Sequence, residues 1–400
     1  MSATAPFAAS PPALAKRLAG LAAVAVLAGL ALGNGLDRIG GSNLAVAARV
    51  PSLFASESLR SGGRALIDQG NALGAIEVGK LAIKDAPLDP SSAAILGAGK
   101  LGAGDKTGAE RAFRLAGKLG WRIPYTQAYW MNEALAAQDY RVAALRLDAL
   151  LRQYPKLMHQ RILVSPFELK GQARAELAKR MKDAPWTHEY AFDVADLEPI
   201  VIAQRTMVLT EMGRQGTALG CDTIAPIVSR LIGMNVLADA ATLWRGHCPG
   251  AGGALVYDGD FARADMTQSH SEFAWTFIGL SDVGLVLEPS ATGKGRELVV
   301  DSTATAPRQF LRQLVLAKPG SYRLTWRAEG DAGAAGSQIE ASLACGAMDF
   351  IPLPATQDPQ SKLWSANAVI DGSCTARWLA FRVKPGTARL TLGDVALKPL

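Results

Sequence analysis

The sequence predicts a multidomain α plus β protein with an N-terminal transmembrane helix, an α-helical solenoid and a C-terminal antiparallel β-sandwich. An uninterrupted apolar run covers residues 18–32. A 34-residue repeat with helical spacing follows it. After residue 253, alternation of apolar and polar residues replaces the helical spacing. The predicted boundaries are 1–42 for a cytoplasmic tail and anchor, 43–248 for the helical domain, 249–253 for a linker and 254–400 for the sandwich.

Composition places the chain among folded globular proteins. Its 400 residues suggest two or three domains, and 49% of them are hydrophobic while 20% are charged. The net charge is +6, but the basic residues are spread along the helical segments and alternate with acids. That pattern indicates solvated helix faces. No nucleic-acid partner is therefore predicted.

The apolar run at the N-terminus predicts attachment to a membrane. Lys16 and Arg17 precede it, and it is close to the roughly 20 residues that cross a bilayer as a helix. A basic pair before such a run places the N-terminus in the cytoplasm. We expect a single-pass protein of a bacterial inner membrane with its bulk in the periplasm. The alternative is export after cleavage at the small-residue triplet 31–33.

Three alanines define the helical repeat. Ala75, Ala109 and Ala143 lie 34 residues apart, and each has a small or apolar residue seven positions later. A repeat of this length is one helical hairpin, and small residues suit the close crossing of its helices. The pattern resembles a tetratricopeptide repeat array, which implies a protein partner. From Pro155 to Trp244 the helical spacing continues, but the 34-residue register is lost.

Three separated segments of the C-terminal region resemble galactose-binding-like jelly rolls of carbohydrate-binding modules. Residues 255–261 resemble the first strand, and Trp275 falls where those domains place a buried tryptophan. Residues 313–324 match a strand, a Pro319-Gly320 turn and a second strand. Residues 393–397 match the closing strand. The resemblance implies a jelly-roll fold for the last 150 residues.

The whole layout resembles bacterial membrane-anchored envelope proteins that join tetratricopeptide-like helices to such a jelly roll. These proteins are associated with exopolysaccharide production. The resemblance implies a non-catalytic, periplasm-facing scaffold or adaptor that binds a protein partner through its helices and polysaccharide through its jelly roll. The alternative is an accessory or diverged carbohydrate-active enzyme whose jelly roll targets a catalytic partner.

Alternation along two predicted strands gives a candidate carbohydrate surface. Arg323 and Arg327 point away from the core in one strand, and Trp378 and Arg382 do so in another. An indole ring can stack on a sugar, and arginine holds a carboxylate with two parallel hydrogen bonds. If the two strands share a sheet, the four residues form a site for an acidic polysaccharide. The competing interpretation is that Trp378 is covered by a loop or by the helical domain.

The jelly-roll resemblance also implies a calcium site, which this sequence matches only in part. Ala262 stands where such domains place an acid after the first strand, whereas Asp394 keeps the second position. Asp258 and Asp260 are the substitutes, although aspartates in turns commonly cap their own backbone. The four histidines, His159, His188, His247 and His270, lack zinc-ligand spacing. The sequence therefore predicts no cofactor and no metal beyond these calcium candidates.

No motif predicts an enzyme. Gly293-Lys294-Gly295 lacks the upstream glycine and the hydroxyl residue of a phosphate-binding loop. The run Ser269-His270-Ser271-Glu272 contains the residue types of a catalytic triad, but adjacent residues rarely assemble one, so it is interpreted as a polar loop. The acids are scattered, and nothing pairs two of them across a cleft.

The predicted compartment allows the four cysteines to form disulfides. Cys345 ends an alternating strand, and Cys374 precedes the strand that holds Trp378. Related envelope jelly rolls show a similar cysteine pair flanking a tryptophan, here Trp364. The resemblance thus implies a bond between Cys345 and Cys374. Cys221 and Cys248 form the second predicted pair, because a separation of two helices suits them.

Overall fold

The computed structural model of the protein describes residues 11–267, 271–290, 293–330 and 336–400. The chain forms two compact units, Met1–Tyr154 and Pro155–Leu400. The first unit is helical, and the second combines further helices with an antiparallel β-sandwich. The predicted α plus β class with an N-terminal apolar helix is confirmed.

The first unit begins with α1 (Pro11–Gly40). Its segment Ala15–Gly40 has a mean hydropathy of 1.8 and is long and apolar enough to cross a membrane, a test that a signal sequence also passes. The helix is followed by the short α2 (Leu44–Ala47) and by α3 (Ser56–Asp68). The Asp37 carboxylate accepts hydrogen bonds of 2.8 Å from the backbone N–H groups of Glu57 and Ser58. Asp37 therefore caps the start of α3 and joins the apolar helix to the repeats.

Three helical hairpins make up the rest of this unit. Their helices are α3 paired with α4 (Ala72–Asp85), α5 (Pro90–Gly102) with α6 (Lys106–Leu119), and α7 (Pro124–Ala136) with α8 (Tyr140–Gln153).

The turns inside the hairpins repeat with the same period of 34 residues. Each turn has one residue with positive φ, namely Gly70, Gly104 and Gln138. The next residue is always the N-cap of the second helix, and its side chain accepts a backbone N–H bond of 2.8 to 3.1 Å. Left-handed backbone followed by an Asn or Asp cap is the expected chemistry of a tight helix–helix turn. The 34-residue repeat is thus visible in the backbone conformation of the turns as well as in the sequence.

The alanines that define the repeat lie in the packed interior. Ala75, Ala109 and Ala143 have no exposed surface, which confirms that they are buried. The backbones of α4 and α5 also approach closely, because a Cβ added to Gly79 would lie 2.8 Å from the Leu96 Cα atom. Such contacts leave no room for a larger side chain without helix displacement.

The second unit starts with six helices. They are α9 (Arg161–Leu169), α10 (Gly171–Met181), α11 (Thr187–Phe192), α12 (Pro199–Arg214), α13 (Cys221–Gly233) and α14 (Leu237–His247). A buried polar network joins α9, α11 and α12: the Tyr190 hydroxyl donates to Glu168 Oε1 at 2.7 Å, and Arg205 Nη1 donates to the Tyr190 carbonyl at 2.8 Å. Burial raises the pKa of Tyr190 well above its usual value and lowers the pKa of Arg205.

Ten strands of the sandwich lie in the part of the chain that the structure describes, and their pairings there are antiparallel. They are β1 (Thr276–Phe277), β2 (Val283–Pro289), β3 (Arg296–Ser302), β4 (Arg308–Val315), β5 (Gly320–Gly330), β6 (Ile339–Ala344), β7 (Ala355–Gln357), β8 (Leu363–Ile370), β9 (Arg377–Val383) and β10 (Ala388–Pro399). One sheet has the order β1-β4-β9-β6, and the other has the order β2-β3-β10-β5-β8-β7.

The two sheets share one core. Trp326 of β5 and Phe381 of β9 are fully buried, and their ring centroids are 5.9 Å apart. Tyr322 and Leu324 are also buried, as the alternation along β5 predicts. Trp275 is buried as well. The Pro319-Gly320 turn lies between β4 and β5, and residues 393–397 lie in β10.

The predicted first strand at residues 255–261 is not a strand. Asp258 and Phe261 have φ values of 54° and 53°, and this left-handed backbone interrupts an extended chain. The buried Gln313 side chain of β4 instead bonds both the N–H and the carbonyl of Tyr257, at 3.0 and 2.8 Å. One side chain therefore satisfies the backbone groups that a neighbouring strand would have satisfied.

The linker predicted at residues 249–253 does not separate the compact units, which divide at Tyr154 and Pro155. The helices after Pro155 instead pack with the sandwich. Ser229 of α13 donates a 2.7 Å hydrogen bond to Glu272, and Trp244 of α14 lies against Phe273. A glycine-rich composition indicates permissive backbone but does not report which side chains pack across it.

Both predicted disulfides are present. Cys221 at the start of α13 is bonded to Cys248, which follows α14. Cys345 after β6 is bonded to Cys374 before β9. Each closes a segment of similar length, with sequence separations of 27 and 29 residues. A bond of that span stabilises a fold by roughly 3 kcal/mol when it acts by restricting the unfolded chain.

Candidate functional site

The predicted arginine and tryptophan surface is not formed. Arg323 and Arg327 lie on β5, whereas Trp378 and Arg382 lie on β9, and these strands belong to different sheets. Because the outer faces of a sandwich point in opposite directions, the two pairs cannot contact one saccharide. Alternation correctly separates the buried from the outward residues of each strand. It carries no information about which strands share a sheet.

The outward residues also have partners within the sandwich. Arg327 Nε donates to Asp394 at 2.9 Å, and Arg382 Nε donates to Glu340 at 2.6 Å. The Arg312 guanidinium lies 5.0 Å from the centre of the half-buried Trp378 ring. The ring is thus already in contact with a cation from the neighbouring strand.

Asp258 and Asp260 lie close together, but Asp394 does not join them in a group of three ligands among the described residues. Asp394 is held by Arg327, and both oxygens of Asp258 accept the backbone N–H of Arg263, at 3.0 and 3.1 Å. The turn at residues 261–264 already holds a cation, because the Arg296 guanidinium donates to the carbonyl oxygens of residues 261, 262 and 264. Backbone carbonyls of this kind are also calcium ligands. Arg296 therefore occupies the oxygen-rich turn where the family resemblance implies a metal.

The histidines have different environments. His247 is buried, with Nε2 2.8 Å from the Leu209 carbonyl, and burial lowers its pKa. His188 stacks on Phe192. His159 Nε2 lies 3.6 Å from Asp193 and 3.9 Å from the half-buried Glu189. Sequence spacing does not reveal this trio because α11 and its C-cap bring the acids to the histidine. Ser269 and His270 of the polar run lie outside the described residues.

The first unit contains an open groove, here called the helical groove. Its volume is about 610 Å³, and it is formed by the end of α6, by α7 and by α8. Its lining includes the rings of Trp121 and Trp130, the bases Arg114, Lys118 and Arg146, and the acids Glu133 and Asp139. The signal for Trp121 in the sequence is its place in the 34-residue repeat, because the equivalent positions are Pro87 and Pro155.

The helical groove combines aromatic surface with positive charge. Trp121 is 41% exposed, and the Arg146 guanidinium stacks 3.6 Å from the centre of its ring. Burial lowers the pKa of Arg146, and its Nε atom has no hydrogen-bond partner among the described residues. Exposed tryptophan beside arginine is the composition of binding hot spots in protein interfaces. The groove is therefore suited to a peptide segment with apolar and acidic side chains.

A smaller cavity lies in the second unit, where α13 and α14 meet the turn at residues 257–265. Its volume is about 270 Å³, and we call it the seam cavity. Its lining includes Asp222 from α13, Trp244 from α14, and Tyr257, Asp258 and Trp275 from the sandwich domain. None of these residues was assigned to a common site from the sequence, because they come from two folding patterns.

The walls of the seam cavity are held by bonds that span its two sides. The Tyr257 hydroxyl lies 3.4 Å from Cys221 Sγ and 3.3 Å from Cys248 Sγ, so it contacts both sulfur atoms of the disulfide. The Tyr257 ring packs edge-on against Trp244, with centroids 5.4 Å apart. Trp275 Nε1 donates to the Asp258 carbonyl at 2.8 Å. The disulfide, both indoles and the tyrosine thus form one packed group.

Asp258 is the electrostatically unusual group of this cavity. Its burial, opposed by its bonds to the Arg263 backbone and reinforced by the nearby Asp260, raises the pKa of Asp258 to about 6. Burial also raises the pKa of Tyr257. A carboxyl group with such a shift inside a cavity is characteristic of functional sites.

Comparisons with known proteins do not identify a family. No protein-family model matches the chain, and no curated protein matches its sequence. Solved structures that match include the enzymatically active domain of tailspike protein 4 of bacteriophage CBA120, at 13% identity and a TM-score of 0.27. That match covers 37% of this chain and 21% of the tailspike chain.

A second matching structure is a Bacteroides thetaiotaomicron protein provisionally described as sugar-binding. It is 12% identical, with a TM-score of 0.23, over 36% of this chain and 92% of that chain. At these scores neither likeness supports a conclusion about activity or ligand.

Proposed function

We propose that the protein is a non-catalytic scaffold of the bacterial envelope that holds a protein partner in its helical groove. The observation that carries the proposal is the exposed Trp121 ring stacked with Arg146 inside an open groove of about 610 Å³. The Nε atom of the partly buried Arg146 has no hydrogen-bond partner among the described residues, so an acidic side chain of a ligand would compensate this group. An apolar side chain of the same ligand could pack on the exposed part of the Trp121 ring.

The proposed topology follows from two features. The apolar helix follows Lys16 and Arg17, which favours a cytoplasmic N-terminus, and both disulfides indicate a compartment outside the cytoplasm. The protein is thus proposed to be a single-pass inner-membrane protein with residues after Gly40 in the periplasm. An alkaline phosphatase reporter fused after Leu400 should be active. Activity of only a cytoplasmic reporter at that position would contradict the topology.

The finer family proposal combines tetratricopeptide-like repeats with a galactose-binding-like jelly roll. The buried alanines, the capped turns spaced 34 residues apart and the antiparallel sandwich support it. In this proposal the protein serves polysaccharide assembly or export, and its sandwich domain contacts polysaccharide.

Photo-cross-linking in cells tests the groove. A benzophenone amino acid placed at Lys118, inside the groove, should form an adduct with one envelope protein, and Trp121→Ala should remove that adduct. The matched control is the same probe at Arg111, an exposed residue of the same helix that does not line the groove. Equal adducts at both positions, or an adduct that survives Trp121→Ala, would contradict partner binding in the groove.

A further inference from the structure

We propose that the seam cavity binds one residue of a saccharide that carries a free amino group. The proposal deepens the polysaccharide-binding part of the proposed function and rests on that part alone. It does not involve the helical groove. It differs from the acidic saccharide that the outward arginines predict, and it relies on a cavity between α13, α14 and the turn at residues 257–265.

The lining of the seam cavity combines aromatic rings with a carboxylate group. Trp244, Trp275 and Tyr257 line one small space together with the Asp258 carboxylate. Trp244 and Trp275 are only 3% and 4% exposed, so the half-buried Tyr257 ring offers most of the aromatic surface to the C–H face of a sugar. Carboxylate oxygens accept hydrogen bonds from sugar hydroxyl groups.

Size limits the ligand. The cavity volume of about 270 Å³ is just below the range of roughly 300–1,000 Å³ that holds drug-sized molecules. One pyranose ring is of the right size, whereas an oligosaccharide would have to extend beyond the cavity. The cavity therefore suits the end of a chain or a single side residue.

The charge of the cavity lining favours a ligand that carries an amino group. The charged side chains of the lining are Asp222, Asp258, Asp265 and Arg263, so acids outnumber bases. The Arg263 guanidinium lies against Gly250, and its backbone N–H rather than its side chain bonds Asp258. An ammonium group near Asp258 would compensate a partly buried carboxylate, while a uronic acid would add a like charge.

The site exists only when the helices and the sandwich are packed together. Asp222 and Trp244 come from α13 and α14, and Tyr257 connects them to the disulfide Cys221–Cys248. The proposed ligand would thus contact two parts of the same compact unit. This arrangement explains why neither the helical pattern nor the strand pattern reveals the site.

Titration calorimetry on the full chain in detergent micelles tests the proposal at pH 7. The probes are glucosamine, glucose, glucuronic acid and butylammonium. We expect glucosamine to bind with a millimolar dissociation constant and about tenfold more tightly than the other three, the effect of one charge-assisted hydrogen bond. No binding of glucosamine, or equal binding of glucose or glucuronic acid, overturns the proposal. Butylammonium binding as tightly as glucosamine overturns the saccharide part.

Two variants locate the site. Asp258→Asn removes the charge but keeps a residue that tolerates the left-handed backbone at this position. It should weaken glucosamine binding about tenfold. Asp301→Asn, at an exposed position of β3 outside the cavity lining, should leave binding unchanged. Equal affinities of Asp258→Asn and the unmodified chain would overturn the site, whereas the cross-linking result at Lys118 would be unaffected.

Discussion

The helical hairpins of residues 56–153 and the β-sandwich differ in how far along the chain their stabilising contacts reach. Each hairpin is built from neighbours, such as the Asp105 side chain that caps α6 three residues later. In the sandwich, β3 pairs with β10, and Gly259 accepts a backbone bond from Val395. A change in a hairpin should therefore act locally, whereas a change in the sandwich should disturb paired strands more than eighty residues apart.

The largest expected effect is in the sandwich core. Trp326→Ala removes a fully buried ring that contacts the facing sheet through Phe381, and truncation of a buried aromatic residue costs about 3–5 kcal/mol. Thermal unfolding followed by circular dichroism should show a large loss of stability. Arg323→Ala on the same strand is the control, because Arg323 is exposed. Similar effects of the two changes would mean that the sheets are not packed through Trp326.

The second-largest effect tests whether a change in a hairpin leaves the sandwich undisturbed. Ala143→Phe overfills a fully buried position of α8, and overpacking costs about 1–3 kcal/mol. Hydrogen exchange should increase within the hairpins while the amides of the sandwich keep their protection. Arg141→Ala, an exposed change on the same helix, should have little effect. Equal exchange in both variants would show that the 34-residue register does not determine packing.

One substitution in the seam cavity, Asp258→Asn, should stabilise the protein. The pKa of Asp258 is raised from 3.8 to about 6, so the native state binds more protons than the unfolded chain in this interval. Ionisation therefore lowers native stability progressively from about pH 4 to pH 6, and the loss persists above that range. Asp258→Asn should raise stability at pH 7 by about 1 kcal/mol, after allowance for solvent screening, and should have no such effect at pH 4.

Denaturant unfolding at the two pH values measures this difference. Asp260→Asn is the control because it lies in the same turn, and its effect at pH 7 should be smaller. A stabilisation that is the same at pH 4 and pH 7 would show that charge is not its cause.

The smallest effect concerns a single turn. Gln138 has φ 59°, whereas the equivalent positions are Gly70 and Gly104. Gln138→Gly relieves left-handed strain but gives the unfolded chain more freedom, so we expect a net gain of roughly 0.5 kcal/mol. Gly104→Ala should lower stability instead. Chemical denaturation of the two variants should give changes of opposite sign if the turns are equivalent.

The repeat and the sandwich could be predicted to different degrees. The 34-residue spacing predicts which alanines are buried, because helix packing is periodic in sequence. Alternation likewise predicts that Tyr322, Leu324 and Trp326 point inward. It fails at residues 255–261, where left-handed backbone at Asp258 and Phe261 replaces a strand. The disulfide between Cys345 and Cys374 was implied by resemblance and not by spacing.

The sequence by itself determined the apolar N-terminal helix, the helical repeat, the change to strands and the inward side of each strand, because these depend on residues close together in the chain. Only the tertiary structure decided which strands share a sheet, and thus separated Arg323 from Trp378. It also brought Trp244 to Asp258, and Trp121 to Arg146. Such contacts depend on long-range packing, where the free energy of one pairing is set by the elements around it rather than by local pattern.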